Sequence, residues 1–158
     1  MNPPPAVVIE EETAADTAAV EAIVSAAFGP GRYAKTAERL REQSACAFGL
    51  VARAGGEVIG TVRLWKITVG ETPALFLGPI AVRAEARKLL TGARLVEAAL
   101  ERVSDGAGVL LVGDLAYFQR FGFVPAPGVT LGGPVDQRRV LWKAHRVETP
   151  TGAVLPSA

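Results

Sequence analysis

The stretch from Leu75 to Leu100 constrains this chain more than any other. It reads in order as a strand, a break, a second strand segment, a basic loop and an amphipathic helix. Leu75-Phe76-Leu77 and Ile80-Ala81-Val82 are apolar runs of the residue types that buried strands favour. Gly78-Pro79 separates them. Proline has no N–H to give a ladder, so the pair predicts a bulged or splayed strand rather than a regular one. Past Val82 come Arg83-Ala84-Glu85-Ala86-Arg87-Lys88 and then Leu89-Leu90-Thr91-Gly92. Leu95, Val96, Ala99, Leu100 and Val103 come next at helical spacing, which predicts a helix from Gly92 to Ser104. A loop that opens a helix offers free N–H groups, and here they stand beside Arg87 and Lys88. Phosphate is the natural ligand of such a place, with two solvated charges as the plainer alternative.

Composition narrows the classes. A chain of 158 residues, 49% of them apolar, suffices for one domain with a workable core. Its 17 basic and 16 acidic residues leave a net charge of +1, so no whole-protein field draws it to nucleic acid. One cysteine, Cys46, rules out an internal disulfide and a cysteine-based metal cluster. With no histidine near it in sequence, a buried thiol is expected rather than a nucleophile. His145 is the one histidine, which excludes a His-rich metal site within one chain and argues against a Ser-His-Asp triad. No metal cofactor is expected. No apolar run approaches the roughly 20 residues of a membrane span. The start, MNPPPAVV, lacks a basic n-region and a long apolar core, so no signal peptide is expected and the cytoplasm is the expected compartment.

Along the chain, Met1 to Pro5 reads as a loose proline-rich lead and Val7 to Glu12 as a first strand. Thr13 or Asp16 caps a helix that carries Val20, Ile23, Val24 and Phe28 on one face, and Gly29-Pro30-Gly31 ends it. Thr36 to Ser44 reads as a short helix with a mostly solvated surface. Phe48–Arg53 and Glu57–Thr68 read as antiparallel strands joined at Gly55-Gly56. Val69 to Pro73 turns into the interrupted strand. After the helix, residues 105–108 turn into the continuous apolar strand Val109–Val112. A short helix at Ala116–Phe121 closes on Gly122, and a strand begins at Phe123-Val124-Pro125. Arg139–Lys143 reads as the last strand, with Glu148 to Ala158 a loosely held tail. The order is β-α-α-β-β-β-α-β-α-β-β, an α+β or mixed α/β single domain spanning residues 1–158.

Two segments, Leu77-Gly78-Pro79-Ile80-Ala81-Val82 with its basic loop, and Gly113-Asp114-Leu115-Ala116-Tyr117-Phe118-Gln119-Arg120-Phe121-Gly122-Phe123, resemble the GCN5-related N-acetyltransferases (GNAT). More narrowly they resemble the YhbS-like bacterial branch. The resemblance covers Val7 to Lys143. It implies a GNAT-like acyl-CoA N-acyltransferase fold: a mainly antiparallel twisted sheet split at a bulged central strand and flanked by helices. It implies acetyl-CoA, or another acyl-CoA, as co-substrate and an amine as acceptor. Backbone groups matching Ile80, Ala81 and Val82 would pair with the pantetheine arm, much as an added strand would. The pyrophosphate would rest on the loop and helix start at Arg87, Lys88, Leu89, Leu90, Thr91, Gly92 and Ala93.

The chain departs from the family pattern twice. The family writes the loop as Gln/Arg-x-x-Gly-x-Gly/Ala, and here Leu90 replaces the middle glycine. Glycine lets phosphate approach the backbone and tolerates positive φ. A leucine at positive φ carries strain on the order of 1 kcal/mol, whereas at negative φ the cost is steric alone. Many members also place a tyrosine four residues before the Gly-Phe pair to protonate the departing thiolate. Phe118 stands there and has no proton to give. Tyr117 is adjacent, but successive helical positions point about 100° apart. It is either the acid or a half-buried aromatic with its hydroxyl at the surface. Asp114 is either a general base or the N-cap of the short helix. Glu71, on a turn, and His145 read as surface groups. Arg63 and Trp65 share one face of their strand, turned either to an acceptor or to solvent, with Lys66 on the other.

These residues support three functions. The first is N-acyl transfer by direct attack of an amine, with the split strand's amides polarising the thioester carbonyl. The second is a catalytically degenerate binding module. The third is an acyltransferase fed by an acyl-carrier protein, whose donor lacks the pyrophosphate. The glycine- and proline-rich segments Gly29–Lys35 and Val129–Val135, where acceptors would meet the fold, carry few charges and favour a small or modestly apolar acceptor over a polycation. Neither nucleic acid nor a membrane is an expected partner, and monomer and homodimer are both open.

Overall fold

Runs of β-branched and aromatic residues separated by glycine turns produce most of the secondary structure. The computed structural model describes residues 6–103, 107–144 and 149–158. The strands are β1 (Val7–Glu11), β2 (Cys46–Ala54), β3 (Glu57–Val69), β4 (Thr72–Val82), β5 (Gly108–Val112), β6 (Val124–Pro125), β7 (Val129–Thr130), β8 (Val140–Lys143) and β9 (Gly152–Pro156). The helices are α1 (Thr17–Phe28), α2 (Thr36–Gln43), α3 (Thr91–Arg102) and α4 (Leu115–Phe118). Hydrogen bonds join the strands in the order β1-β2-β3-β4-β5-β8-β6, with β9 on β3 and β7 on β9. β4/β5 and β7/β9 are parallel, whereas β1/β2, β3/β9, β5/β8 and β6/β8 are antiparallel. The fold is therefore mixed α+β with a mainly antiparallel sheet.

The chain forms two compact units that exchange segments along the sequence, so β3 and β4 each give one half to either. The first takes the chain up to Pro30, with Phe48–Arg63 and Pro79–Arg102. In it β1 lies on β2 from Val7↔Ala54 to Glu11↔Leu50. Gly55 and Gly56, at φ 60° and 83°, make the reversal that two positive-φ residues allow. Thr13 donates its N–H and its hydroxyl to Asp16 Oδ2, which fixes the entry to α1. Arg53 closes on the same carboxylate. Val20, Ile23 and Val24 bury against Val51, Val58 and Ala81. Phe28, expected on that face, is instead 45% exposed. The start of α3 settles on β3 because residue 60 is glycine: a Cβ there would stand 3.1 Å from Leu95 Cδ1 and 3.3 Å from Thr91 Cγ2.

The second unit takes Gly31–Ala47, Leu64–Gly78 and Val103–Ala158. Its core gathers Leu40, Ile67, Val69, Phe76, Leu110, Val129, Val140, Trp142 and Val154. The Trp142 ring lies where any side chain at residue 108 would go, since a Cβ there would meet it at 1.9 Å.

Several expectations are corrected. β4 runs unbroken from Thr72 to Val82, and the break foreseen at Gly78-Pro79 survives as one irregular residue, Gly78 at φ 140°. The chain after Pro150 is not a loose tail: β9 pairs with β3 through Ile67↔Pro156, Thr68↔Leu155 and Val69↔Val154, and with β7 through Val129↔Gly152. Its proline and glycine hid a strand that borrows ladder partners on two sides. Cys46 is exposed at the start of β2 rather than buried. α2 is not a solvated helix, because Glu38 and Arg41 have side chains only 13% and 14% exposed. The Met1–Pro5 lead, His145, and Ser104 to Gly106 at the helix end and the adjoining turn lie outside the described residues.

If β9 closes the second core, truncating its inward side chain is costly and truncating its neighbour is not. Val154→Ala is expected to lower stability by about 1–3 kcal/mol in urea unfolding, and exposed Leu155→Ala by less than about 0.5 kcal/mol. Equal effects would place β9 outside the cooperative core.

Candidate active site

In the second unit, β4 and β5 pair through Ala74↔Gly108, Leu75↔Val109 and Phe76↔Leu110. Leu77 and Gly78 of β4, and Leu111 and Val112 of β5, lie past that last rung. The parting has local causes. Gly78 holds a φ that L side chains rarely adopt, and Pro79 brings no N–H. Trp65 Nε1 donates to the Gly78 carbonyl at 2.5 Å. Arg41 Nη1 stands 3.0 Å from where a Cβ of residue 78 would be. The indole and the guanidinium therefore hold the bend, and a side chain at 78 would meet the arginine.

The first unit receives β4 at Pro79. Ala81 is buried in its core, while Ile80 and Val82 are half-buried. The Arg83 N–H bonds Ile59 O at 2.8 Å, and a 3-10 turn over Ala84–Leu89 comes after it. Ala86 of that turn is buried, and its carbonyl accepts from Thr91 Oγ1 at 3.5 Å. Leu90 then takes φ 56° and ψ 25°, the left-handed conformation, with 71% of its surface exposed. Among the described residues it is the one non-glycine at positive φ. The sequence left two possibilities for Leu90, and the backbone resolves them: it keeps the form a glycine would take, and its side chain points to solvent. Thr91 is fully buried, Gly92 and Ala93 are half-buried, and the Arg94 N–H bonds Leu90 O at 3.1 Å. The N–H groups of Thr91, Gly92 and Ala93 precede that bond, in the turn where a helix has no acceptors of its own. Arg87 is exposed beside them in the chain. The side chains of Lys88 and Leu89 lie outside the described ones.

The other predicted residues belong to the second unit. Asp114 is the N-cap of α4: its Oδ1 accepts from the Ala116 N–H at 3.1 Å, and its carbonyl accepts from the Tyr117 and Phe118 N–H groups. Tyr117 and Phe118 are both half-buried. The Tyr117 ring meets Phe118 edge-on at 4.9 Å and Phe121 at 5.6 Å, with the Arg120 guanidinium 4.5 Å above it. Phe118 packs on Phe123 at 5.9 Å, over Gly113, where a Cβ would come within 2.5 Å of its ring. Gly122 closes the segment at φ 93°.

Other candidates serve structure. Arg63 pairs with Glu12 at 2.8 Å and Glu21 at 3.1 Å, and those carboxylates hold its guanidinium far above its ordinary pKa. It does not share a task with Trp65. Glu71 and Lys66 are exposed. Among the described residues no group of three or more His, Cys, Asp or Glu side chains is placed to hold a metal ion. Sequence reasoning missed Arg41. Ala37, Leu40 and Arg41 share one face of α2, and the burial of Leu40 shows that this face is inward. Burial pulls the Arg41 guanidinium below its ordinary pKa, Glu38 pulls it back, and the charge of Arg32 adds to the lowering.

A model of the Acetyltransferase (GNAT) family matches residues 17–123. The solved structure of the GNAT family N-acetyltransferase YhbS from Escherichia coli, in complex with CoA, is similar at 24% identity and a TM-score of 0.81, over 99% of this chain and 93% of that one. A GNAT family acetyltransferase from Brucella melitensis, in complex with acetyl-CoA, is similar at 25% identity and a TM-score of 0.74, over 97% of each chain. A third similar structure, a histone acetyltransferase HPA2 and related acetyltransferase from Corynebacterium glutamicum, shares 19% identity at a TM-score of 0.68, over 90% of this chain and 98% of that one. No curated protein sequence matches significantly.

The conformation of Leu90 has a stability signature. Leu90→Gly is expected to leave stability within about 0.5 kcal/mol, because relief of left-handed strain offsets the greater unfolded-state freedom of glycine. Leu90→Val is expected to cost about 1 kcal/mol, since a β-branched residue suits positive φ least. A Leu90→Gly variant destabilised as much as Leu90→Val in urea would contradict the backbone described.

Proposed function

The chain belongs to the GNAT acetyltransferase family, and from that premise we propose that it transfers an acyl group, acetyl in the first instance, from acyl-CoA to an amine. The neutral amine attacks the thioester carbonyl directly, the C–S bond breaks, the thiolate takes up a proton and the nitrogen loses one. Most of the acceleration comes from holding the two reactants in line and from amides aimed at the developing oxyanion.

The observation that carries this reading is Leu90 at φ 56°. A leucine held in the glycine conformation leaves the loop backbone in the shape an anion needs, with the added side chain turned to water. The amides of Thr91, Gly92 and Ala93, with Leu89 and Leu90 before them, are assigned to the pyrophosphate, and Arg87 and Lys88 supply charge. Ile80, Ala81 and Val82 are assigned to the pantetheine arm through their backbone. Phe118 is assigned as an apolar wall for the donor, and Tyr117 as the group that protonates the thiolate. Asp114 is assigned to capping, with its exposed carboxylate a second choice for the amine's proton after water. The CoA and acetyl-CoA complexes of the two similar proteins support the choice of donor.

The second reading, a binding module that no longer catalyses, draws on Phe118 standing where the family often has its acid. Calorimetry with acetyl-CoA separates the two. Micromolar binding is expected, weakened by Arg87→Ala and by Lys88→Ala; no heat at millimolar ligand would favour the module. Leu90→Gly is expected to change donor affinity by less than about threefold, because the loop backbone already has the glycine form and the leucine side chain lies in water; a gain of about tenfold or more would show that the side chain obstructs the pyrophosphate. Tyr117→Phe is expected to lower turnover with donor affinity unchanged, whereas unchanged turnover would leave the tyrosine a packing residue.

A further inference from the structure

α2 turns two charges inward. Leu40 belongs to the core of the second unit, and Arg41 comes next with a side chain only 14% exposed. The Arg41 guanidinium lies 5.9 Å from the centre of the Phe76 ring and reaches the bend at Gly78. Among the described residues it meets one acceptor, Glu38 Oε2, at 3.1 Å through Nη2. Its Nε is buried without a hydrogen-bond partner among them. Arg32, 7% exposed, adds a second cation close enough to act on the first.

An ion pair between residues three apart on a helix forms equally well at the surface, where it costs no desolvation. Burying it, with a donor unmet, is a stability loss that the fold alone does not explain. Its place is specific: Gly78 is the second β4 residue past the last rung with β5. In the acyl-transfer reading, on which this inference rests, the reacting carbonyl belongs at that bend. A cation beside a thioester does not help a second cation approach. It does suit an acceptor that brings its own negative group.

We propose that the acceptor is an amine carrying an oxyanion, a carboxylate or a phosphate, and that Arg41 is the residue that holds this oxyanion while the amine faces the thioester. The guanidinium fork matches two oxygens of either group. An amine bearing no anion leaves Arg41 with Glu38 as its one acceptor among the described residues, and a polycationic acceptor gains nothing from the guanidinium.

The test uses acetyl transfer to amines matched in skeleton. Phenylalanine, aspartate and lysine are compared with their carboxamides, and ethanolamine phosphate with ethanolamine. The anionic member of at least one pair is expected to be preferred by about tenfold or more in kcat/KM, and whether acids or the phosphate lead identifies the oxyanion. Arg41→Lys is expected to raise KM for the preferred anion about tenfold more than it raises KM for the neutral partner, with a smaller change in kcat. Because a lone buried Glu38 can unfold the helix, the pair Glu38→Gln with Arg41→Met serves as the charge-free control, with the same loss of preference expected. Equal use of anionic and neutral amines, or a wild-type KM in Arg41→Lys, overturns the proposal. If no amine in the set is acetylated, titration of the same pairs into the CoA-saturated protein decides, and equal affinity overturns it. Absence of acetyl-CoA binding overturns the transfer reading instead, and this proposal with it.

Discussion

Parallel strands can separate only where something else satisfies their backbone, and β4 meets that condition at Gly78. Past Phe76↔Leu110 the rungs stop. The Gly78 carbonyl is taken by Trp65, the next residue has no N–H to leave orphaned, and Arg41 fills the room a side chain would need. A side chain at residue 78 would meet the Arg41 guanidinium. The end of the ladder thus has local backbone causes at residues 78 and 79.

Much of this was legible. The helical spacing after Thr91, the Gly55-Gly56 reversal and Gly122 after the aromatic turn each encode a conformation by excluding alternatives, and the structure has all of them, while Gly78-Pro79 leaves one irregular residue inside an unbroken strand. What escaped reading depended on partners distant in sequence. β9 is short and bounded by a glycine and a proline, so its strand character comes from β3 and β7 rather than from propensity. Arg41 sits in a helix whose charges look solvated, and only the burial of Leu40 tells which face is inward. Cys46 went the other way, because a small apolar-like residue at a strand end gives no sign of which side water lies. The N-cap at Asp114 was one of the two alternatives the sequence offered, and the structure has it, whereas the ion pairs of Arg63 escaped reading because their carboxylates lie far away in sequence.

Leu90 shows how a motif can change letter and keep its shape. The 3-10 turn before it and the buried Thr91 after it hold the residue left-handed whatever its side chain. The cost is borne by the surrounding packing, including the contact of Gly60 with Thr91 and Leu95, which seats the helix start. A recognition surface made of main-chain N–H groups tolerates such a change better than one made of side chains, provided the new group has water to enter.

The two tryptophans of the chain, Trp65 and Trp142, both lie in the second unit. Trp142 is sealed in the core over Gly108, whereas Trp65 is half-buried with its indole bonded to the carbonyl of the bend. The fold therefore carries its own optical pair: a shielded emitter indifferent to what arrives at the surface, and a second whose colour and quenching track the polarity around residue 78.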